Sequence, residues 1–290
     1  MVSRNATAAA AEAFRPLLWS LAYRMTGTVQ DADDVVQDTL LAALENPPKD
    51  PTKPLKPWLV TVALNRARDR LRSRRRTVHL GPWLPAPVPD DRLADDQLAD
   101  RQTASWAFLR AAEAMTPTQR AVFLAREVLD LSAAETAEAL GCSPGGVDVA
   151  LHRARRALAD LPAIPGTFDD AVLVSFLTCL HLGMVGAATK LLHPDAVAIN
   201  DGAGVVNAAR IPVVGARKIV NFCRRIERLY PPGVKLHWRR CNGMLTVILE
   251  SPRSKGRQPQ IATFSAEFRD HRIVRLYSVL DPRKLGAILG

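Results

Sequence analysis

The chemical feature that stands out in the sequence is a cluster of arginines near the end of a predicted helix. Seven of them fall within eleven residues, and Asp69 is the acid among them. Charges this close repel one another unless phosphates neutralise them, and the planar guanidinium group suits phosphate and can stack on an unpaired base. We therefore expect nucleic-acid binding rather than a merely solvated surface. The members of this arginine cluster are Arg66, Arg68, Arg70, Arg72, Arg74, Arg75 and Arg76.

A second DNA-binding feature is predicted over residues 131–158. Ser132 and Glu135 form a capping-box pattern, Gly141 suits a tight turn, and Ser143 followed by Pro144 starts a second helix. This order favours a DNA-binding helix–turn–helix over a plain helical hairpin. The residues expected at the DNA are Ser143, Gly146, His152, Arg153, Arg155 and Arg156.

The C-terminal half offers acid–base groups but no convincing catalytic set. The candidates are scattered, and none has a spacing that demands chemistry; they are His193, Asp195, Asp201, His237 and Glu267. The four cysteines are widely spaced and have no histidine at zinc-ligand spacing. We expect reduced thiols, no metal, no cofactor and no enzymatic activity.

The elements that must position these residues change character along the chain. Helical periodicity dominates up to residue 161, whereas later segments combine helices with strands that alternate apolar and polar residues. Five prolines interrupt residues 46–57, and four more lie in residues 77–100. We predict a helical domain at 10–76, a proline-rich linker at 77–103, a helix–turn–helix domain at 104–161 and an α+β domain at 167–290.

The overall charge supports a polyanionic partner. The formal net charge is +10 and the calculated isoelectric point is 9.9, which favours nucleic acid first and an acidic membrane second. The apolar end of the basic helix, at Trp58 and Val62, lies away from its arginines, which disfavours membrane attachment. The sequence has no signal-peptide pattern and no apolar run long enough to span a bilayer, so we expect a soluble cytoplasmic protein.

These segments together resemble the extracytoplasmic-function (ECF) sigma factors of RNA polymerase. Residues 21–44 are similar to the start of region 2, residues 57–76 to its part that melts the −10 element, and residues 114–158 to region 4, which reads the −35 element. Asn65, Asp69 and Arg72 match the pattern that captures an unstacked base, and Trp58 is expected beside them. The resemblance implies promoter DNA and the clamp and flap of core polymerase as partners. The residues it places at the clamp are Asp31, Asp33, Asp34, Val35, Gln37 and Asp38.

Three further motifs resemble a subgroup of these factors, the SigJ-like factors. That subgroup carries a fused, cone-shaped SnoaL-like (NTF2-like) domain, thought to control the factor from within. The motifs begin at Gly81, Asp201 and Asp281, with Ala86, Ala203 and Arg283 as departures from the usual residues. The regulatory residues that the resemblance implies are Trp83, Leu84, Pro85, Pro87, Asp201, Gly202, Gly204, Asp281, Pro282, Lys284 and Leu285.

Two other interpretations remain open at the level of sequence. One is a one-component regulator whose helix–turn–helix binds an operator while the C-terminal domain senses a small molecule. The other is a SnoaL-like enzyme with a DNA-binding appendage, because this fold hosts many functions. The first of these leaves residues 21–76 without a purpose.

Overall fold

We describe a computed structural model of the chain, over residues 9–48, 50, 52–74, 76, 79–94, 101–159, 169–286 and 288–289. The chain divides into two compact units. The first unit comprises residues 1–78 and 91–161, and the second comprises residues 79–90 and 162–290. Each unit is described by itself.

The first unit begins with three packed helices, α1 (Arg15–Thr26), α2 (Val29–Glu45) and α3 (Leu55–Arg74). Gly27 ends α1 in the left-handed conformation, and the Thr28 side chain then caps α2. Helix α2 buries one stripe that includes Ala32, Val36 and Thr39. Helix α3 begins at Leu55, and Pro57 lies in its first turn, where a proline sacrifices no hydrogen bond.

Further helices complete the first unit: α4 (Asp90–Ala94), of which residues 91–94 belong here, α5 (Trp106–Ala112), α6 (Pro117–Phe123), α7 (Ala133–Leu140) and α8 (Pro144–Ala159). A 3₁₀ turn covers Arg101–Ala104, and a π-helical turn, Leu124–Val128, continues α6. The predicted helix–turn–helix is confirmed: Ser132 and Glu135 form the capping box and Gly141 turns the chain with a φ of 65°. Val147, Leu151 and Ala154 are the buried residues of α8.

The second unit is a mixed α+β domain, as the sequence predicted. Its helices are α9 (Asp170–His181), α10 (Val185–Lys190), α11 (Ala216–Glu227) and α12 (Pro282–Leu285). Its strands are β1 (Leu192–Asp201), β2 (Val213–Val214), β3 (Lys235–Cys241), β4 (Met244–Glu250), β5 (Ile261–Arg269) and β6 (Arg272–Val279). The two-residue β2 was not predicted, because it is too short for any periodicity.

The six strands form one sheet in the order β2-β1-β6-β5-β4-β3. Strands β1 and β6 pair in parallel, with Asn200 opposite Ser278, and the other neighbours pair antiparallel. An apolar core joins α9 and α11 to one face of the sheet, with Phe176, Ile219 and Val247 buried in it. The domain therefore has a helical layer on a sheet, which leaves the opposite face for another segment.

Residues 79–90 connect the end of β1 with the β3–β4 turn, and we call them the strap. They were predicted to be part of a linker, but Leu84, Ala86 and Val88 are completely buried in the second unit. Leu84 bonds to the end of β1, whereas Val88 bonds to Asn242 in the β3–β4 turn. Three strand spacings separate β1 from β4, about 14 Å, which is about the reach of the four extended residues from Leu84 to Val88.

Candidate nucleic-acid interface and the strap clasp

The arginine cluster on α3 is only partly free for DNA. Arg66, Arg72 and Arg76 are exposed, as is Asp69, and Trp58 is half-buried at the other end of the helix. Arg72 lies 3.3 Å from Asp69, an exposed pair that breaks easily. Arg75 lies outside the described residues. The exposed members of the cluster could therefore take phosphates without losing strong partners.

Arg70 instead faces the acids of α2. Its guanidinium nitrogens lie 2.8 Å from Asp34, 3.5 Å from Asp31 and 4.0 Å from Asp38. The sequence prediction put Arg70 at the DNA, but it neutralises the acidic side of α2 in this structure. Because α3 packs beside α2, only the tertiary arrangement shows which arginines turn toward those carboxylates.

Asn65 and Arg68 contact the helix–turn–helix. The amide Nδ2 of Asn65 donates to the carbonyl of Ala139 at 2.7 Å, and Arg68 Nη1 donates to the carbonyl of Leu140 at 2.8 Å. These carbonyls lie at the C-terminal end of α7. They accept no hydrogen bond from within the helix, and they carry its partial negative charge. Asn65, one of the three residues predicted to capture a base, is thus held against the helix–turn–helix, whereas Asp69 and Arg72 are exposed.

Glu113 joins the same two parts of the first unit, and sequence reasoning missed it. Its carboxylate accepts from Arg74 at 3.0 Å and from Arg120 at 2.9 Å. Arg120 is only 1% exposed and also donates to the carbonyl of Arg24 on α1, while Arg74 donates to that of Thr26. A carboxylate shared by two arginines that also bind α1 carbonyls makes a latch, which we call the Glu113 latch.

The helix–turn–helix presents its predicted DNA-binding side to solvent. His152, Arg153, Arg155 and Arg156 are all exposed on α8. Ser143 accepts a hydrogen bond from the backbone N–H of Gly146 at 3.2 Å, which is the predicted cap. Arg155 is paired with Glu127, whereas Asp148 and Val149 are exposed one turn into the helix. The surface is therefore basic in the C-terminal half of α8 and acidic near its N-terminal end.

A buried carboxylate fastens the strap to the second unit. Asp201, 0% exposed at the end of β1, accepts from the backbone N–H of Leu84 at 2.8 Å and from Lys284 Nζ at 2.6 Å. His79 Nε2 lies 3.0 Å from its other oxygen. Lys284 also donates to the carbonyl of Leu84, so that the strap, β1 and α12 meet at one point. We call this arrangement the Asp201 clasp.

Burial by itself acts to raise the pKa of Asp201. The hydrogen bond with His79, the Lys284 ammonium and the Leu84 N–H outweigh burial and hold the pKa of this carboxyl below its ordinary value. The clasp therefore contains a charged carboxylate at neutral pH. Removing one partner of such a buried ion pair strongly destabilises the fold, because the other charge stays buried without compensation.

The residues around the clasp pack closely against one another. The Lys284 ammonium lies 4.2 Å from the centre of the Trp83 ring, a cation–π contact. A Cβ at Gly202 or Gly204 would come within 2.7 Å of Ala208 or Leu80, so both positions need glycine. Ala203 has a φ of 48°, which an L-residue adopts at a cost of about 1–2 kcal/mol.

The other predicted regulatory residues lie in the strap and in α12. Pro85 and Pro87 are buried in the strap, and Leu285 is buried in α12. Asp281 caps α12 by accepting from the N–H of Arg283 at 3.1 Å, and Pro282 occupies the first turn. The structure thus collects motifs that lie up to 200 residues apart in sequence. His79 and Asn242, which also hold the strap, had not been singled out.

The family comparisons agree with this geometry. The Sigma-70 region 2 family matches residues 10–77, and the Sigma-70 region 4 family matches residues 105–158. The ECF RNA polymerase sigma factor SigJ of Mycobacterium tuberculosis is 34% identical over 232 residues, which cover 77% of this chain and 74% of that protein. This chain belongs to the ECF sigma factors. The predicted membership is confirmed.

Two further comparisons define the extent of the similarity. The crystal structure of M. tuberculosis SigJ has a TM-score of 0.71 and 29% identity, and the match covers 95% of this sigma factor and 96% of that chain. The ECF sigma factor SigG of M. tuberculosis is 36% identical over 171 residues, which cover 51% of this chain and 46% of SigG. The similarity to SigJ therefore includes the second unit of this sigma factor, whereas that to SigG covers about half the chain.

The acidic side of α2 is the surface that the resemblance assigns to polymerase. Asp33 and Gln37 are exposed, and Asp31, Asp34 and Asp38 lie around Arg70. Trp19 donates to Asp33 at 2.7 Å, and Arg92 lies over the Trp19 ring at 4.6 Å. Val35, predicted to contact polymerase, is completely buried among the helices, so we remove it from this surface.

The acid–base candidates of the second unit do not form a catalytic set among the described residues. Glu267 accepts from Arg275 at 2.8 Å and from Tyr277 at 2.6 Å, and His237 pairs with Glu250 at 2.9 Å. Asp201 is committed to the clasp. No helix among the described residues is long and apolar enough to cross a membrane.

We expect Asp148, the exposed acid near the start of α8, to weaken DNA binding by this sigma factor. Changing Asp148 to asparagine removes a charge that repels phosphate and keeps the side-chain size, so affinity for promoter duplex should rise about threefold to tenfold at low salt. Fluorescence anisotropy with labelled duplex measures this. Asp130→Asn is the control, and equal affinities of the two variants would contradict the placement of Asp148 beside DNA.

Proposed function

We propose that this sigma factor directs core RNA polymerase to promoters and is controlled from within by its second unit. Region 2, residues 10–76, binds the clamp through the acidic side of α2 and opens the −10 element with the exposed arginines of α3. Region 4, residues 104–161, binds the −35 element through α8 and also contacts the flap. The observation that carries the internal control is the Asp201 clasp on the strap.

The strap is part of the segment that connects region 2 to region 4. Residues 79–90 are built into the second unit by the clasp at one end, and at the other end by Asn242, which accepts from Val88, and by Asp90, which accepts from the Gly243 N–H. A segment held in this way cannot act as a flexible tether. The second unit therefore sets the length of chain available for separating the two promoter-binding regions.

The first unit supports the same interpretation, because its two regions are closed on each other. The −10 and −35 elements are about 25 base pairs apart, which is about 85 Å of B-form DNA. Asn65 and Arg68 of region 2 are within hydrogen-bond distance of α7 in region 4. Simultaneous contact with both elements requires these regions to separate, and the Glu113 latch opposes that separation.

We favour a regulatory role of the second unit over a catalytic one. Its buried carboxylate is neutralised by Lys284 and bonded to the strap, so it is not poised for proton transfer. A small molecule that binds this unit could still loosen the clasp. The partner that we assign, core polymerase, works in the cytoplasm, and we place the sigma factor there.

Truncation tests the proposed control in run-off transcription with purified core polymerase. A chain that ends at residue 280 lacks Lys284. Asp201 then loses its ammonium partner, and the carbonyl of Leu84 in the strap loses its donor. We expect severalfold more transcript than with the full chain. A chain that ends at residue 165 should still start transcription at the same position, since regions 2 and 4 carry the promoter contacts.

Two outcomes would reject the proposal at different levels. If no form of the chain bound core polymerase in a pull-down, the role in initiation would be wrong, and a one-component regulator would be favoured. If all forms bound core and gave equal amounts of transcript, the sigma function would stand but the control by the second unit would not. Turnover of a substrate by the full chain would favour the enzymatic alternative.

A further inference from the structure

The positive charge of this protein is concentrated in its C-terminal part. Residues 162–290 contain 18 lysines and arginines and 9 aspartates and glutamates, whereas residues 1–161 contain 21 and 20. The C-terminal part therefore carries +9 of the net charge of +10, although the arginine cluster lies in region 2. The polyanion that the total charge favours is attracted mainly by the second unit.

Helix α11 concentrates this charge on one side. Its buried residues Ala216, Ile219 and Val220 lie along one side of the helix. At 100° per residue, the basic residues occupy an arc of about 120° on the opposite side. They are Arg217, Lys218, Arg224, Arg225 and Arg228, and we call this arc the α11 basic face.

The α11 basic face has almost no neutralising acids. None of its five side chains forms an ion pair within the described part of the chain, and the acid of the helix, Glu227, lies 3.2 Å from His181. Four of the five are exposed, and Arg224 is half-buried. Surface charges normally mix signs, so a stripe of one sign points to an anionic partner.

The face continues past the start of α11 into a cleft. This cleft has a volume of about 770 Å³, and Lys190, Arg217, Lys218 and Arg272 contribute cations to its lining. Lys190 and Arg272 are exposed and come from α10 and β6. The basic surface is therefore wider than one helix, because cations from α10 and β6 extend it.

We propose that the α11 basic face, with Lys190 and Arg272, binds the phosphate backbone of duplex DNA next to the promoter elements. The inference rests on the proposed sigma function, which brings DNA to the same chain. Arginine and lysine on phosphates release counterions and add affinity without reading sequence. Since regions 2 and 4 already hold the DNA, this surface binds at a high effective concentration.

An anionic membrane suits this surface less well than DNA does. A helix that lies in a membrane interface buries its apolar side among the lipids. Ile219 and Val220 are completely buried in the core of the second unit, so α11 has no apolar side left to insert. Only charge remains for recognition, and a rigid array of phosphates fits that requirement.

The test is the salt dependence of binding by the full chain to a duplex that lacks −10 and −35 elements. The variant Arg217→Gln, Lys218→Gln, Arg225→Gln, Arg228→Gln should lose about 0.9 in the slope of log K against log salt for each phosphate contact removed, and so as much as about 3.6. The control variant changes Lys235, Arg253, Lys255 and Arg269 to glutamine. It removes the same charge from exposed positions outside α11.

A slope for the α11 variant equal to that of the control variant would overturn the proposal. The proposal would also be overturned if the α11 variant kept the DNA slope of the unchanged chain but lost binding to vesicles of equal parts phosphatidylcholine and phosphatidylserine. The partner would then be a membrane. Failure of the sigma function is distinguishable, since it abolishes run-off transcription by every form, the unchanged chain included, whereas binding to the plain duplex still reports on the α11 basic face.

Discussion

Replacing Asp201 with alanine is expected to destabilise the second unit by about 3–5 kcal/mol and to release the strap. The change leaves the ammonium of Lys284 buried, at 7% exposure, without its carboxylate, and it leaves the Leu84 N–H without its acceptor. Urea denaturation measures the free energy of unfolding. Hydrogen exchange at the Leu84 amide reports whether the strap has detached.

The matched control is the ion pair of Glu227 with His181, which lies in the same unit but at the surface. Glu227 is 41% exposed and His181 83%, so Glu227→Gln should cost less than about 1 kcal/mol. The double change Asp201→Asn with Lys284→Met removes both charges and should recover part of the loss, because no buried charge remains unpaired. Equal destabilisation by Asp201→Ala and Glu227→Gln would contradict the clasp.

The clasp also predicts how stability depends on pH. The pKa of Asp201 is lowered in the folded protein, so its stabilisation is fully present above the unfolded pKa of about 3.9 and is lost as the pH falls through the folded value. The difference in unfolding free energy between the unchanged chain and Asp201→Asn should therefore be present above about pH 5. It should shrink below about pH 4.

Replacing Glu113 with glutamine is expected to raise the affinity of the sigma factor for promoter duplex about tenfold. The latch holds regions 2 and 4 together through Arg74 and Arg120. The closed form cannot reach both promoter elements, so the apparent affinity equals the affinity of the open form multiplied by the open fraction. Weakening the closed form by about 1.4 kcal/mol produces a tenfold change when that form predominates. Fluorescence anisotropy with a labelled duplex that contains both promoter elements measures this affinity.

The same change should lower the stability of the first unit by about 2 kcal/mol, since Arg120 is buried and loses a carboxylate partner. Glu138→Gln is the control, because Glu138 is exposed on α7 in the same region. If Glu113→Gln bound DNA no better than Glu138→Gln while unfolding more easily, the latch would be a structural ion-pair network without a regulatory role.

Local patterns in the sequence determined much of this protein. The amphipathic stripe of α2, the capping box of Ser132 and Glu135 and the turn at Gly141 each involve residues within a few positions of one another, so periodicity and side-chain type suffice to predict them. The order of a region 2 pattern and a region 4 pattern then identified the family. Alternation of apolar and polar residues also predicted the strands of the C-terminal part, and it is clearest in β5 and β6.

The tertiary structure decided which charged residues are available and which are committed. Arg66 and Arg70 are equivalent in the sequence pattern, yet Arg66 is exposed and Arg70 faces three aspartates. The resemblance implied a regulatory role for Asp201, but only the contacts with Leu84 and Lys284, 117 and 83 residues away, show that it holds the strap. Burial and long-range pairing depend on how the elements pack, and no local spacing encodes that packing.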